Sequence, residues 1–451
     1  MACDSLHFPL KVESTNVEPA ATSTSTCAMP SQTDKESADG IESQVQSIPF
    51  SYENHNKEPS ARQLILALRP EWSSRDSHIK YTQFKDGITN TLLKITNHRE
   101  GLREDQVDSE AILLRAYGHG TDVLIDRHRE RQNHELLMKN GLAPELLATF
   151  NNGMLYRYIP GTPTQPSDLR HRPIYLAVAR RLAQWHAKVP CIHETCAQKQ
   201  GLVGKINGPY EAAINSAAPN KPPPNVWTVM QKWIMALPTE TDAQRDRQAQ
   251  LQKELVKLIE ELSQRPGLGE NGLVFAHCDL LSGNVIIEPS PKGPGTNEAV
   301  GREERVTVNF IDYEYATPSP AAFDLANHFA EWGGFDCDYN VLPTQAQRME
   351  FIRDYIGTYY NLLPAGAEKV DLEEEAQKLH AEVDIYRGVP GFYWGIWALI
   401  QAKISEIEFD YAAYAETRLG EYWAWREVSD KTCERDGKEM SLREKRWAQT
   451  E

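Results

Sequence analysis

The sequence predicts an α+β protein in which a small sheet-rich lobe precedes a larger helical one. Three observations carry this reading. Residues 79–159 hold short apolar or alternating runs separated by turn residues, residues beyond 160 hold long segments with helical spacing, and no stretch repeats internally.

Residues 1–48 contain thirteen Ser or Thr and one Phe, Tyr or Trp, Phe8, too little apolar surface to repay ordering, so a disordered tail is expected there. Order is expected from Ile48-Pro49-Phe50, with a helix over 61–68. Strands follow at 79–84 and 91–95, joined by a turn at Lys85-Asp86-Gly87-Ile88-Thr89-Asn90, and a third at 111–117. A helix over 126–139 is closed by Asn140-Gly141, and strands at 146–150 and 154–159 complete the first lobe, residues 49–158. The second lobe, 159–451, opens with a helix over 173–188 that starts on Pro173 and lines Ile174, Val178, Leu182 and Trp185 along one face. Further helices are predicted over 228–237, 242–262, 345–362, 372–388 and 392–411. Among them lies one strand pair, 285–287 and 306–311, joined by a Pro/Gly-rich insert over 288–305 that reads as a mobile loop.

Of 451 residues, 40% are hydrophobic and 25% charged, a globular composition with two or three structural units. A formal net charge of −16 repels phosphate backbones and anionic bilayers, which argues against nucleic acid and lipid headgroups as partners. No run approaches the ~20 apolar residues of a membrane span, and the N-terminus lacks the features of a signal peptide. Seven cysteines without paired CxxC spacing fit a reducing compartment, so a cytoplasmic location is expected.

The strongest chemical signal is Val274-Phe275-Ala276-His277-Cys278-Asp279-Leu280-Leu281-Ser282-Gly283-Asn284-Val285-Ile286-Ile287, a polar loop between apolar runs. It can offer Asp279 to a substrate hydroxyl and the Asn284 amide oxygen to a metal; read alone, it fits a simple Asx turn equally well. Asp312 and Glu314 end the apolar run Val308-Asn309-Phe310-Ile311. A hairpin would return Asp312 beside Asn284, so that two hard oxygen ligands meet one Mg²⁺, the arrangement phosphoryl transfer needs. Arg115, ending a strand, and Glu130 in the next helix could anchor ATP phosphates; in isolation they fit a surface ion pair better. The single Gly87 turn is a weaker phosphate cover, with Thr89 and nearby backbone N–H groups. His186 reads as a satisfied structural histidine and the acidic run after Asp371 as a solvated helix start.

The strings Gly87-Ile88-Thr89-Asn90, Leu113-Leu114-Arg115-Ala116-Tyr117-Gly118, His277-Cys278-Asp279-Leu280-Leu281-Ser282-Gly283-Asn284, Phe310-Ile311-Asp312-Tyr313-Glu314-Tyr315, Phe323-Asp324-Leu325-Ala326-Asn327-His328-Phe329-Ala330-Glu331-Trp332 and Phe392-Tyr393-Trp394-Gly395-Ile396-Trp397 occur in this order. In sequence and order they resemble the choline/ethanolamine kinase family over residues 60–430. The resemblance implies a two-lobed protein-kinase-like fold that phosphorylates the hydroxyl of a small amino alcohol with Mg-ATP. It implies Asp279 as catalytic base, Asn284 and Asp312 as Mg²⁺ ligands with Glu314 as a helper at the metal or amine site, and Arg115 with Glu130 as the phosphate anchor. By the same carry-over Gly87, Thr89 and Asn90 cover the ATP phosphates, and Tyr156, Arg157 and Tyr158 form the hinge beside adenine. The resemblance also implies an aromatic amine pocket of Trp394, Trp397 and Tyr414, with Tyr315 and Glu331 nearby, where an aromatic face over a cation gains ~0.5–2 kcal/mol; read alone, Trp394 and Trp397 at i and i+3 also fit core packing.

Gly-Ile-Thr-Asn and Leu281 match ethanolamine-type members of the family, which implies ethanolamine as substrate and phosphatidylethanolamine synthesis as its destination, with choline as the alternative amine. Cys278 departs from the Asn usual in the family and raises the expectation of an oxidation-sensitive loop. A protein kinase is disfavoured because twelve residues separate Asp312 from Asp324, too few for a peptide-binding activation segment. The Trp394/Trp397 block argues against a polyhydroxylated sugar substrate, and the filled catalytic positions argue against an inactive scaffold. The oligomeric state is left open, a homodimer being compatible.

Overall fold

The structure, a computed structural model, describes residues 45–84, 90–118, 120–191, 209–289, 306–364, 369–405 and 407–451. Most of the predicted tail, the Gly87 and Thr89 turn, and most of the 288–305 insert lie outside the described residues.

The first part of the chain builds a six-stranded sheet from β1 (Gln46–Ile48), β2 (His78–Phe84), β3 (Asn90–His98), β4 (Ile112–Tyr117), β5 (Leu146–Phe150) and β6 (Gly153–Arg157). Its order is β1-β5-β6-β4-β3-β2, antiparallel except for the β1–β5 pair. β1 corrects the expectation of disorder up to residue 48: Ile48 is buried and its strand pairs with β5, so edge pairing overrides the polar composition. Helix α1 (Lys57–Leu68) packs Leu64 and Ile65 into the core shared with Leu93, Ile95, Ile112 and Leu114. Helix α2 (Arg127–Lys139) is capped by Asp126, which accepts from His128 N and Arg129 N, each at 3.1 Å. It ends as its sequence predicts, with Gly141 at φ +69° and Leu142 N donating to Leu137 O.

One close approach shapes this sheet. A Cβ on Gly153 would lie 2.1 Å from the carbonyl oxygen of Arg115, so only glycine lets β6 sit against β4 at that residue.

Beyond β7 (Thr162–Pro163), the chain is mainly helical: α3 (Arg172–Lys188), α4 (Val226–Met235), α5 (Asp242–Leu262), α6 (Ala321–Ala330), α7 (Gln345–Leu362), α8 (Leu372–Tyr386), α9 (Val389–Ile404) and α10 (Tyr411–Ser429). Capping boxes at Thr241 and Thr344 start α5 and α7 where the sequence places them. The helix expected over 392–411 divides in two. It stops at Ile404, and Asp410 caps a new helix by accepting from Ala413 N, a start without an apolar break to announce it. Two small antiparallel sheets lie among these helices: β8 (Val274–Ala276) with β11 (Thr317–Ser319), and β9 (Val285–Ile287) between β7 and β10 (Val308–Phe310). Trp185 of α3 sits where they meet, its ring centroid within 6.3 Å of those of Phe275, Phe310 and Tyr313. Among the described residues, no helix is long and apolar enough to cross a membrane.

Gly153→Ala should destabilise the protein by about 1–3 kcal/mol or more in urea unfolding, through the clash with β4. Gly357→Ala in α7, where an added Cβ meets nothing within 4 Å, should raise stability by roughly 0.5–1 kcal/mol. Equal effects of the two substitutions would contradict this packing.

Candidate active site

The β8–β9 connection carries the predicted catalytic loop, and α6 holds it. Asp324, fully buried, accepts from the backbone N–H of His277 at 3.0 Å and of Cys278 at 2.8 Å. One helical turn on, Asn327 donates to Cys278 O at 2.9 Å, and His328 Nδ1 bonds Leu280 O at 2.8 Å. These three residues fall at i, i+3 and i+4 of an otherwise apolar helix, so one face of α6 is a polar mould for the loop. Sequence reasoning gave them no role, although three polar side chains on one face of a wholly buried helix were a usable signal.

The mould holds Cys278 at φ +64°, a left-handed conformation that costs a cysteine on the order of 1 kcal/mol. Its thiol is fully buried, lies 3.4 Å from Ser319 Oγ, and is pushed well above its ordinary pKa by burial and by Asp324. This corrects the expected oxidation sensitivity: a buried, protonated thiol is a poor target.

The loop presents Asp279 and Asn284 together. Asn284 Nδ2 donates to Asp279 O at 2.8 Å and to Asp279 Oδ2 at 3.1 Å, which leaves the Asn284 amide oxygen facing away from that pair. The β9–β10 hairpin returns the chain as its sequence predicts, with Ile311 N bonded to Asn284 O at 3.0 Å, and Asp312 follows at φ +60°. His277 ties the two segments. Its Nδ1 accepts from Asp279 N at 3.3 Å and its Nε2 donates to Ile311 O at 3.1 Å, a pattern that assigns the neutral Nε2–H tautomer. The carboxyl of Asp279 is pushed well above the usual range by burial and by the carboxylates of Asp312, Glu331 and Glu314.

Arg115 of β4 reaches the same place from the sheet. Its Nη2 bonds Asp312 Oδ1 at 2.7 Å and also Glu314 Oε2, while its Nε pairs with Glu130 Oε1 at 2.9 Å. Arg127, unassigned at the sequence level, sits over the Tyr117 ring at 4.4 Å and pairs with Glu130 at 2.8 Å and Glu314 at 3.2 Å. Asn90 donates to Glu314 Oε2 at 2.9 Å, so Glu314 is bonded to β3, β4 and α2. Asp312 is the open member of the cluster, its side chain 28% exposed against 5% for Arg115.

Three carboxylates, Asp312, Glu314 and Glu130, thus crowd two guanidiniums, Asp279 feels the charges of Asp312 and Glu314, and burial raises the pKa of Asp279, Asp312 and Glu130. The surplus negative charge, the Asn284 oxygen and the open side of Asp312 fit a hard divalent cation that retains waters. Of the expected hinge, Tyr156 and Arg157 close β6 against Leu113 and Ile112, and Tyr158 N bonds Ala111 O at 3.0 Å. Arg157 points to Glu145 Oε2 at 3.2 Å on the exposed side.

Of the predicted aromatic residues Tyr315, Trp394 and Trp397 converge, while Tyr414 packs against Phe335 and Phe409. Trp397 Nε1 donates to Tyr315 OH at 2.8 Å, the Trp394 ring stands 5.4 Å from Trp397 and 5.7 Å from Tyr315, and Trp394 Nε1 donates to Asn327 Oδ1 at 2.8 Å. Glu331, buried after α6, accepts from Arg418 Nη2 at 3.0 Å, and its charge is felt by both Asp279 and Tyr414. This buried aromatic cluster adjoins the catalytic loop through Asn327, which bonds both Trp394 and Cys278, while the charge of Glu331 reaches Asp279.

Three buried imidazoles, His277, His328 and His134, are held down to about 4, chiefly by burial, against an ordinary 6.5. The unfolded chain binds protons that the native one refuses between those values, so stability is full above pH 6.5 and falls as pH drops toward 4. The urea midpoint should drop between pH 7 and pH 5; a flat profile would mean that these rings titrate normally.

A family model for choline/ethanolamine kinases matches residues 81–423. Human ethanolamine kinase 1 is 32% identical over 381 residues, covering 82% of this chain and 72% of that protein. Mouse ethanolamine kinase 2 is 32% identical over 370 residues, 81% of this chain and 80% of the relative. Among solved structures, Plasmodium vivax ethanolamine kinase has a TM-score of 0.59 at 22% identity over 82% of this chain and 88% of its own. Choline kinase from Cryptosporidium parvum gives 0.56 at 20% identity over 83% and 97%. These two likenesses show the two-lobed kinase fold.

Proposed function

The chain belongs to the choline/ethanolamine kinase family, and from that premise we propose that it transfers the γ-phosphoryl group of ATP to the hydroxyl of ethanolamine. The observation that supports the site assignment is the gathering of Asp279, Asn284, Asp312 and Arg115 on one loop, one hairpin and one strand, next to the aromatic cluster of Tyr315, Trp394 and Trp397 and to the buried Glu331.

Asp279 is the base: held by Asn284 and raised by burial, its carboxylate takes the hydroxyl proton as the oxygen attacks phosphorus. Arg115, kept in place by Glu130, neutralises phosphate charge, and Arg127 holds Glu130 and Glu314 in turn. Asn284 and Asp312 would hold Mg²⁺, with Glu314 a helper at the metal or amine site that also bonds Arg115; bound Mg²⁺ would supply charge neutralisation of the phosphates. Asn90, with Gly87 and Thr89, covers the phosphates, and Tyr156, Arg157 and Tyr158 flank adenine. Trp394, Trp397, Tyr315 and Tyr414 offer ring faces to the ammonium, and Glu331 offers an acceptor for its N–H groups. Choline, which lacks those donors, gains only the ring faces. The sheet-rich lobe, 49–158, then serves ATP and the helical lobe, 159–451, the amine. The four described cysteines are free, which supports a reducing, cytoplasmic setting.

Incubation with Mg-ATP and ethanolamine, followed by phosphorus NMR, should show phosphoethanolamine. Asp279→Asn should abolish its formation, by at least about 10³-fold, while ATP affinity stays within about twofold. Lost nucleotide affinity with unchanged turnover would refute the assigned role.

A further inference from the structure

From Glu331, assigned above to the amine site, runs a buried chain of alternating charge. Glu331 accepts from Arg418 Nη2 at 3.0 Å, Arg418 Nε lies 3.5 Å from Glu421 Oε2, and that oxygen lies 3.7 Å from Arg443 Nε. Arg443 pairs with Glu444 at 3.1 Å, and Glu444 with Arg387 at 2.7 Å. Glu331, Arg418, Glu421, Arg443 and Glu444 are all at most 5% exposed at the side chain. The chain begins at Glu331 and runs through the short C-terminal helix Leu442–Trp447, which lies beyond the residues that match the family model, to Arg387.

A buried ion pair adds little net stability over a well-packed apolar pair, because both charges lose their water. Five such residues in line need another reason, and Glu331 supplies it. Burial pushes its carboxyl pKa up, Glu421 adds to that push, and Arg418 opposes both. Tyr414 and Cys337 also face it, and Asp279 feels its charge. Arg418 holds one oxygen, Oε1.

We propose that Arg418 is the positioning residue of the amine site, keeping Glu331 charged and oriented toward the substrate ammonium, and that Arg443 sets Arg418 by sharing Glu421 with it. The proposal rests on the ethanolamine kinase reading above. Without Arg443, Glu421 has Arg418 as its remaining guanidinium and draws it from Glu331.

The test is initial-rate kinetics on the full chain with Mg-ATP, varying ethanolamine and ATP in turn, for Arg418→Met, Arg418→Lys and Arg443→Met. Arg418→Met should raise the ethanolamine KM by about tenfold or more while the ATP KM stays within about twofold. Arg418→Lys should recover part of that loss, and the remote Arg443→Met should raise the ethanolamine KM about threefold. A merely structural role lowers stability without separating the two KM values, so parallel changes, or unchanged ethanolamine KM in Arg443→Met, overturn the proposal. If Arg418→Met does not fold, the other two variants decide. A wild-type chain that does not phosphorylate ethanolamine refutes the activity itself, and is seen before any variant is compared.

Discussion

The site depends on one carboxylate. Asp324, without exposure to solvent, takes the backbone N–H groups of His277 and Cys278 and is itself held by His186 Nε2 at 3.0 Å, whose Nδ1 bonds Tyr355 OH at 2.7 Å. Burial alone would raise its pKa; His186, His277 and the backbone N–H groups bring it below the ordinary range, so it stays ionised. Hydrogen bonds to a charged group are worth about 1.5–3 kcal/mol each, enough to hold Cys278 in a left-handed conformation that its side chain disfavours. From that bend follow the direction of Asp279, the seat of Asn284, and the His277 bond to Ile311 that sets Asp312.

Arg115 plays the complementary part from the sheet. β4 carries it into contact with Asp312 and Glu314, which belong to the segment after β10, so the strand pairing of the first part and the hairpin of the second meet at one guanidinium. Gly153 permits the strand spacing that puts it there. The acids exceed the cations in this cluster, which makes the centre a place for positive charge in a protein whose overall field is negative. The same field favours a small cationic substrate over an anionic one.

Much of the architecture was legible because local chemistry and global fold agree. Asp126, Thr241, Thr344 and Asp371 cap helices where side chain and apolar spacing coincide, and Asn140-Gly141 ends one where a left-handed residue is needed. The split between Ile404 and Tyr411 was illegible, since no Gly or Pro marks it and aromatic residues continue on both sides. Asp279, Asn284 and Asp312 were readable from a loop and a hairpin whose spacing brings them together. Asp324, Asn327, Arg127 and Arg418 were not, because each acts on a residue 46 or more positions away or through a partner that only the folded chain supplies. His186 read as a satisfied structural histidine, and it is satisfied, but what it satisfies is the carboxylate on which the loop hangs.

Asp279, the cation-attracting acids beside it, and the aromatic cluster with Glu331 are together proposed to phosphorylate a primary amino alcohol. The most direct test is coupled ADP release with Mg-ATP, comparing kcat/KM for ethanolamine and for choline in one preparation. The account predicts a higher value for ethanolamine, because Glu331 can accept from an ammonium and not from a trimethylammonium. A higher value for choline would contradict the role given to Glu331, and no turnover of either amine by folded, ATP-binding protein would contradict the account as a whole.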